Sequence, residues 1–107
     1  MKKLFTLLFL LMSLISYSQS TTLVISQVYG AGGNSGAPLN ADYVELHNIS
    51  SVSQSLAGLS IQYASATSTA AWSGVAALPS VSIPPGGYFL IQMSSTGTNG
   101  AALPAVD

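Results

Sequence analysis

The sequence predicts an all-β sandwich domain behind a cleavable export signal, and three observations predict it. The chain opens on two lysines followed by a short apolar run. All ten glycines and all five prolines fall after residue 18, where they cut the chain into strand-length apolar pieces separated by serines and threonines. No window of residues 19–107 sustains a helical period. Short apolar runs, hydroxyl residues and frequent turn residues together are the composition of an all-β domain. Disorder requires low hydrophobicity and high net charge, whereas here only 5% of residues are charged and 49% are apolar.

The export signal is expected over residues 1–18. Lys2 and Lys3 form its basic start, and only Thr6 and Ser13 are polar among residues 4–15. A secretory signal needs an apolar stretch of roughly 7–15 residues, while a membrane-spanning helix needs about 20. Ser16 and Ser18 are small residues placed for a cut before Gln19; Ser18 and Ser20 serve equally for a cut before Thr21. The expected location is extracellular, cell-surface or periplasmic, with no membrane span left after cleavage. Without cysteine there is no disulfide framework, so a packed core must hold the domain.

Removing the signal alters the charge balance. Lys2 and Lys3 are the only basic residues besides His47, which leaves Asp42, Glu45 and Asp107 with no permanent cation. Nucleic-acid binding draws most of its affinity from Lys and Arg neutralising phosphates, and this part has neither. An anionic membrane surface is excluded on the same ground. So nearly chargeless a surface predicts a module that depends on neighbours in a longer chain.

The elements follow in order. Residues 23–29 form a β-branched, partly alternating strand with Val24 or Ile25 opening a face and Val28 and Tyr29 closing it. A loop at residues 30–41, rich in glycine, reads as mobile. Residues 42–48 alternate cleanly, with Tyr43, Glu45 and His47 on one face and Val44 and Leu46 on the other. After a polar link, residues 56–64 read as one strand with Leu59, Ile61 and Tyr63 on a shared face. Residues 65–80 read as a loop or weak edge strand around Trp72. Val81, Ser82 and Ile83 form a short extended piece ending at Pro84-Pro85-Gly86-Gly87, the chemistry of a type II-like turn. It feeds residues 88–93, the most apolar strand after the signal, and residues 94–107 are again turn-rich. A two-sheet sandwich takes about seven strands over ~100 residues. The chain stops without a final strand or a polar tail, which predicts a C-terminally incomplete domain at residues 19–107.

Four stretches in this order resemble the lamin tail domain, an immunoglobulin-like β-sandwich of nuclear lamins and many secreted bacterial proteins. They are Val24-Ile25-Ser26-Gln27-Val28-Tyr29-Gly30, Asp42-Tyr43-Val44-Glu45-Leu46-His47-Asn48, Leu56-Ala57-Gly58-Leu59-Ser60-Ile61-Gln62-Tyr63, and Ile83-Pro84-Pro85-Gly86-Gly87-Tyr88-Phe89-Leu90-Ile91. The resemblance covers roughly residues 22 to 107, and the Gly30–Gly36 loop is similar to the bacterial secreted subgroup. A position often held by tryptophan is Leu59 here, so the core packs differently there. Family members usually continue into closing strands, which implies truncation before the final strands. The resemblance implies a non-catalytic module that in bacteria often accompanies secreted nucleases, phosphoesterases or other hydrolases.

The chemistry-bearing motifs each meet a blander reading. The glycines of the 30–36 loop lack the spacing of a dinucleotide fingerprint, whose sixth position is Ser35 here, and no helix follows. Ser35 with His47 and a carboxylate has the residue types of a hydrolase triad but too small a chain to build a cleft. Asp42, Glu45 and His47, or Asn34, Asn40 and Asp42, fall short of a zinc or calcium ligand set. No catalytic, cofactor-binding or metal residue is therefore expected. Tyr29, Tyr43, Tyr63 and Tyr88 are expected in the core and Trp72 outside it. Trp72, His47 and Glu45 are the candidate partner surface. Asn48-Ile49-Ser50 fits the N-glycosylation sequon.

The expected function is a non-catalytic accessory or interaction module of a secreted protein, with a protein or glycan as partner. Two alternatives stand beside it. One is the N-terminal module of a secreted hydrolase whose catalytic domain lies beyond residue 107. The other is a carbohydrate-binding module built on the aromatics.

Overall fold

The computed structural model describes residues 1–3, 19–69, 72, 74–94 and 96–107. The expected export signal falls almost wholly on residues 4–18, outside the described residues. Seven strands follow: β1 (Leu23–Tyr29), β2 (Tyr43–Asn48), β3 (Gln54–Ser55), β4 (Ser60–Tyr63), β5 (Gly74–Ala77), β6 (Ser82–Ile83) and β7 (Tyr88–Gln92). No helix occurs among the described residues of 19–107.

The main sheet has the order β1-β2-β7, antiparallel throughout. β2 is central because its alternation suits a strand covered on one face. Val44, Leu46 and Asn48 are buried, while Tyr43, Glu45 and His47 are half-buried on the outer side. The register pairs Leu46 with Phe89 and Val44 with Ile91, so β7 adds its apolar side chains to the same inner face. β1 reaches that face through a bulge. The register shifts between Ile25 and Gln27, which gives Ser26 no partner of its own in the ladder. Strict alternation would send Ile25 and Val28 to opposite faces; the extra residue turns both inward. The irregular apolar spacing of this strand thereby finds its cause.

The opposing layer consists of two short ladders, β3 with β6 and the β4–β5 hairpin. Residues 56–64 are therefore not one strand. Gly58 takes φ +77°, and the Leu59 N–H donates to the Leu56 carbonyl at 3.1 Å, so a turn separates β3 from β4. A strand residue keeps negative φ, and this position needs glycine. The turn buries Leu56 completely and leaves Leu59 exposed, so Leu56 takes the core place that Leu59 was expected to fill. Within residues 65–80, read as a loop or weak edge strand, Gly74–Ala77 form β5, which pairs with β4 from Ser60↔Ala77 to Tyr63↔Gly74.

The core lies between the layers. Val44, Leu46 and Phe89 from the main sheet meet Leu56 and Ile83 from the other side. Full burial of one such side chain stabilises the fold by about 1.5–3 kcal/mol. The turn at Pro84–Gly87 locks the layers together. The Gly87 N–H donates to the Pro84 carbonyl at 2.9 Å, and Gly86 sits at φ +70°. With Pro85 before that glycine, it is a type II turn.

The turn also docks on Asn48. The Asn48 N–H donates to the Gly87 carbonyl and the Gly86 N–H to the Asn48 carbonyl, both at 2.9 Å. The Asn48 side chain is fully buried. Its Nδ2 donates to the carbonyls of Val52, Ile83 and Pro84, and its Oδ1 accepts from the Ser50 N–H and hydroxyl. A buried amide with each end satisfied is a specific clamp between β2 and the β6–β7 turn.

Candidate interaction surface

The glycine loop, expected to be mobile, is stapled to its surroundings. The Gly32 N–H donates to Asp42 Oδ1 at 2.7 Å and the Gly33 N–H to the Leu39 carbonyl at 2.9 Å. The Asn34 N–H goes to the Ala31 carbonyl, and Asn99 Nδ2 donates to the Gly33 carbonyl. A phosphate cradle needs free N–H groups; those of Gly32, Gly33 and Asn34 are spent on the chain's own acceptors. Glycine is required at position 32 by space alone, since a Cβ there would stand 2.0 Å from the Ala41 carbonyl carbon.

The three carboxylates are similarly engaged. Asp42 holds Gly32 as described. Glu45 Oε1 accepts from the Ser26 hydroxyl at 2.7 Å, so the bulge residue caps the outer face of β2. Asp107 Oδ2 accepts from the Leu90 N–H at 2.8 Å, on the edge of β7 away from β2. His47 is stacked on Tyr88 with ring centroids 4.1 Å apart and planes 8° from parallel. Among the described residues no three His, Cys, Asp or Glu side chains gather as a metal set.

The outer face of the main sheet is an aromatic and amide surface. Tyr29 stacks on Tyr43 at 5.6 Å, and the Tyr43 hydroxyl donates to Gln27 Oε1 at 2.9 Å. These are directly opposite cross-strand pairs, Tyr29↔Tyr43 and His47↔Tyr88, and such pairs contribute roughly 0.2–1 kcal/mol each. The expectation that the tyrosines are core is corrected by this arrangement. Tyr29 and Tyr43 are half-buried on the outer face, Tyr88 is 57% exposed, and Tyr63 is exposed on the hairpin. The β-propensity of tyrosine reflects a half-buried pleated surface as much as a core, and nothing in a single sequence separates the two.

Of the candidate partner residues, Glu45 and His47 share this outer face. Trp72 stands on the connection from β4 to β5, in the opposing layer, with 61% of its surface exposed. Sequence reasoning missed a second surface. Between the β1–β2 part of the main sheet and the hairpin the layers separate into a groove of about 540 Å³, lined by Ile25, Val28, Val44, Ile61, Tyr63 and Met93 among others. Its signal in the sequence is the odd spacing of Ile25 and Val28.

These features define an all-β, immunoglobulin-like sandwich with one aromatic outer face and one open seam. The family model described as Lamin Tail Domain matches residues 16–106, and the chain belongs to that family. No curated protein and no solved structure gives a significant match. Among the described residues no helix is long and apolar enough to cross a membrane.

Proposed function

We propose that the protein is exported and serves as a non-catalytic interaction module, binding another protein through its lamin-tail sandwich. One observation carries this reading: among the described residues the acid and base side chains make contacts within the fold and no three of them gather, while broad uncharged surfaces stay open. Asp42, Glu45 and Asp107 each accept a hydrogen bond from the chain itself, and His47 is covered by Tyr88. A general base or nucleophile acts beside a second acid or base at a substrate site, and among the described residues no three His, Asp or Glu side chains gather. Recognition needs only exposed aromatic and apolar groups of fixed shape, and this sandwich presents them on both layers.

The test is cross-linking in the producing host with a photoreactive residue at Trp72 or at Tyr88, followed by mass spectrometry of the exported fraction. One defined partner, joined to a chain beginning at Gln19 or Thr21, is the expected result. A chain retained with its first eighteen residues refutes export. Cleavage of nucleic acid, phosphoester or glycan substrates by the purified chain refutes the non-catalytic role.

A further inference from the structure

Of the asparagines Asn34, Asn40, Asn48 and Asn99, only Asn99 is followed by glycine. The residue after an asparagine decides how easily its main-chain nitrogen reaches the side-chain amide carbon, because a Cβ there crowds the approach. Ser35, Ala41 and Ile49 each carry one; Gly100 does not. Exposure separates the four further. Asn48 is fully buried and Asn40 half-buried, while Asn34 and Asn99 are exposed.

Asn99 stands at the centre of a clasp that holds the 30–41 loop to residues 96–101. An antiparallel bridge joins Gly33 to Asn99, and a parallel one joins Leu39 to Ala101. The Asn40 N–H donates to the Ala101 carbonyl and the Ala101 N–H to the Pro38 carbonyl, both at 2.9 Å, and the Gly97 N–H donates to the Asn40 carbonyl at 2.6 Å. Asn99 Nδ2 adds an exposed bond to the Gly33 carbonyl at 3.2 Å. The main chain here has no slack. Gly100 lies at φ +92°, and a Cβ on it would stand 2.5 Å from the Leu39 carbonyl carbon.

We propose that Asn99 is a site of spontaneous deamidation, and that its isoaspartyl product opens the clasp and releases the 30–41 loop. Hydroxide takes the proton of the Gly100 main-chain nitrogen, which then attacks Asn99 Cγ. The new N–Cγ bond closes a succinimide ring, the Cγ–Nδ2 bond breaks, and the side-chain nitrogen takes a proton from water and leaves as ammonia. A second water opens the ring, breaking one C–N bond and returning a proton to the ring nitrogen. Its attack at Cγ restores the original main chain, with aspartate at position 99. Its attack at the main-chain carbonyl carbon routes the chain through Cγ and leaves isoaspartate. The net reaction takes up one water and releases one ammonia, and nothing is oxidised or reduced.

The two products act differently on the clasp. Aspartate removes the donor to the Gly33 carbonyl but leaves the main-chain bonds in place. Isoaspartate removes the same donor and also lengthens the main chain by one methylene beside Gly100, which packs against Leu39 too closely to admit even a Cβ. Ala101 then loses its register with Pro38 and Asn40. This chemistry is independent of the interaction-module reading.

The test is to hold the whole protein at mildly alkaline pH for weeks, digest it with chymotrypsin and map it by mass spectrometry, labelling isoaspartate with isoaspartyl methyltransferase. A gain of one mass unit at Asn99 ahead of Asn34, faster as pH rises, is the expected result. In the isoaspartyl fraction, hydrogen-exchange protection of the Asn40, Gly97 and Ala101 amides is lost while that of β2 and β7 is kept. Asn99→Gln keeps a side-chain amide but closes only a larger ring; it stays unmodified and retains its protection with age. Asn99→Asp carries the charge from the start without the added methylene and keeps the three main-chain bonds. Modification of Asn34 before Asn99, or none at Asn99, overturns the site. Unchanged protection in the isoaspartyl fraction overturns the opening of the clasp, as does an equal loss in aged Asn99→Gln or in fresh Asn99→Asp protein.

Discussion

Replacing Asn48 with alanine is expected to unfold most of the protein. The side chain is fully buried and makes five hydrogen bonds, three from Nδ2 and two to Oδ1. The partners differ in what they lose. The Pro84 carbonyl keeps the Gly87 N–H, and the Val52 carbonyl keeps the Ser50 hydroxyl at 2.9 Å. The Ile83 carbonyl keeps its place in the β3–β6 ladder opposite Gln54. Losing the buried amide's own bonds costs about 1–3 kcal/mol, and the Ser50 N–H, left without its acceptor, adds about 1 kcal/mol. The space vacated by the amide adds about 1 kcal/mol. The sum is about 3–5 kcal/mol, comparable to the total stability of a domain this small, near the lower end of the ~5–15 kcal/mol range. Urea melts followed by far-ultraviolet circular dichroism measure it. With a slope of about 1 kcal/mol per molar for a small domain, the midpoint falls by about 3–5 M or the native baseline disappears. Asn48→Asp is expected to be no better, because it turns a donor into an acceptor facing three carbonyls. A midpoint within about 0.5 M of wild type for Asn48→Ala refutes the clamp.

Three further outcomes follow from the same geometry. The Asn48-Ile49-Ser50 sequon stays unmodified in folded protein, because its Nδ2 is buried against three carbonyls; a glycan found at Asn48 by peptide mass mapping of native protein contradicts this. Leu56→Ala loses about 2–5 kcal/mol in urea melts, whereas Val75→Thr, at an exposed position on β5, stays within about 0.5 kcal/mol; equal losses refute the assigned core. Gly86→Ala costs about 1–2 kcal/mol because φ is +70° with no atom crowding a Cβ, so the penalty is conformational alone; asparagine, which tolerates that region, recovers part of it in the same melts.

What the sequence disclosed was set by how local the causes are. β2 was legible because Val44 and Leu46 alternate with Tyr43, Glu45 and His47, and the pairing partners merely extend that choice. The Pro85-Gly86 turn was legible because its two residues impose their own dihedrals. The β4–β5 hairpin was not, since Gly74 to Ala77 carry weak strand preference and are held in place by the register with Ser60 to Tyr63. Tyr29 and Tyr88 were misplaced for a related reason. Their exposure depends on which face of the sheet the second layer covers, and β7 joins β2 across about forty residues of sequence. The candidate surface was legible in part: Glu45 and His47 share a face by simple alternation, but their engagement by Ser26 and Tyr88 comes from neighbouring strands. The role of Asn48 was hidden completely, because its five partners are carbonyl, amide and hydroxyl groups that no side-chain pattern records.

The bulge at Ser26 joins the two surfaces of the main sheet in one device. By adding a residue it keeps Tyr29 opposite Tyr43 on the outer face while holding Ile25 and Val28 together on the inner one. The Ser26 hydroxyl then reaches Glu45, so the single carboxylate on that outer face is spent within the sheet. Pairing Ser26 in the ladder without a bulge would restore strict alternation and force a choice. Either Ile25 leaves the seam with Val24 turned inward, or Tyr29 leaves its stack on Tyr43. In the first case Glu45 also loses its donor, and an ionised carboxylate stands uncompensated between Gln27 and Leu90. The bulge is therefore what allows an aromatic outer face and an apolar seam to share one seven-residue strand. It also accounts for the strand's sequence, in which neither the β-branched nor the polar residues keep a single period.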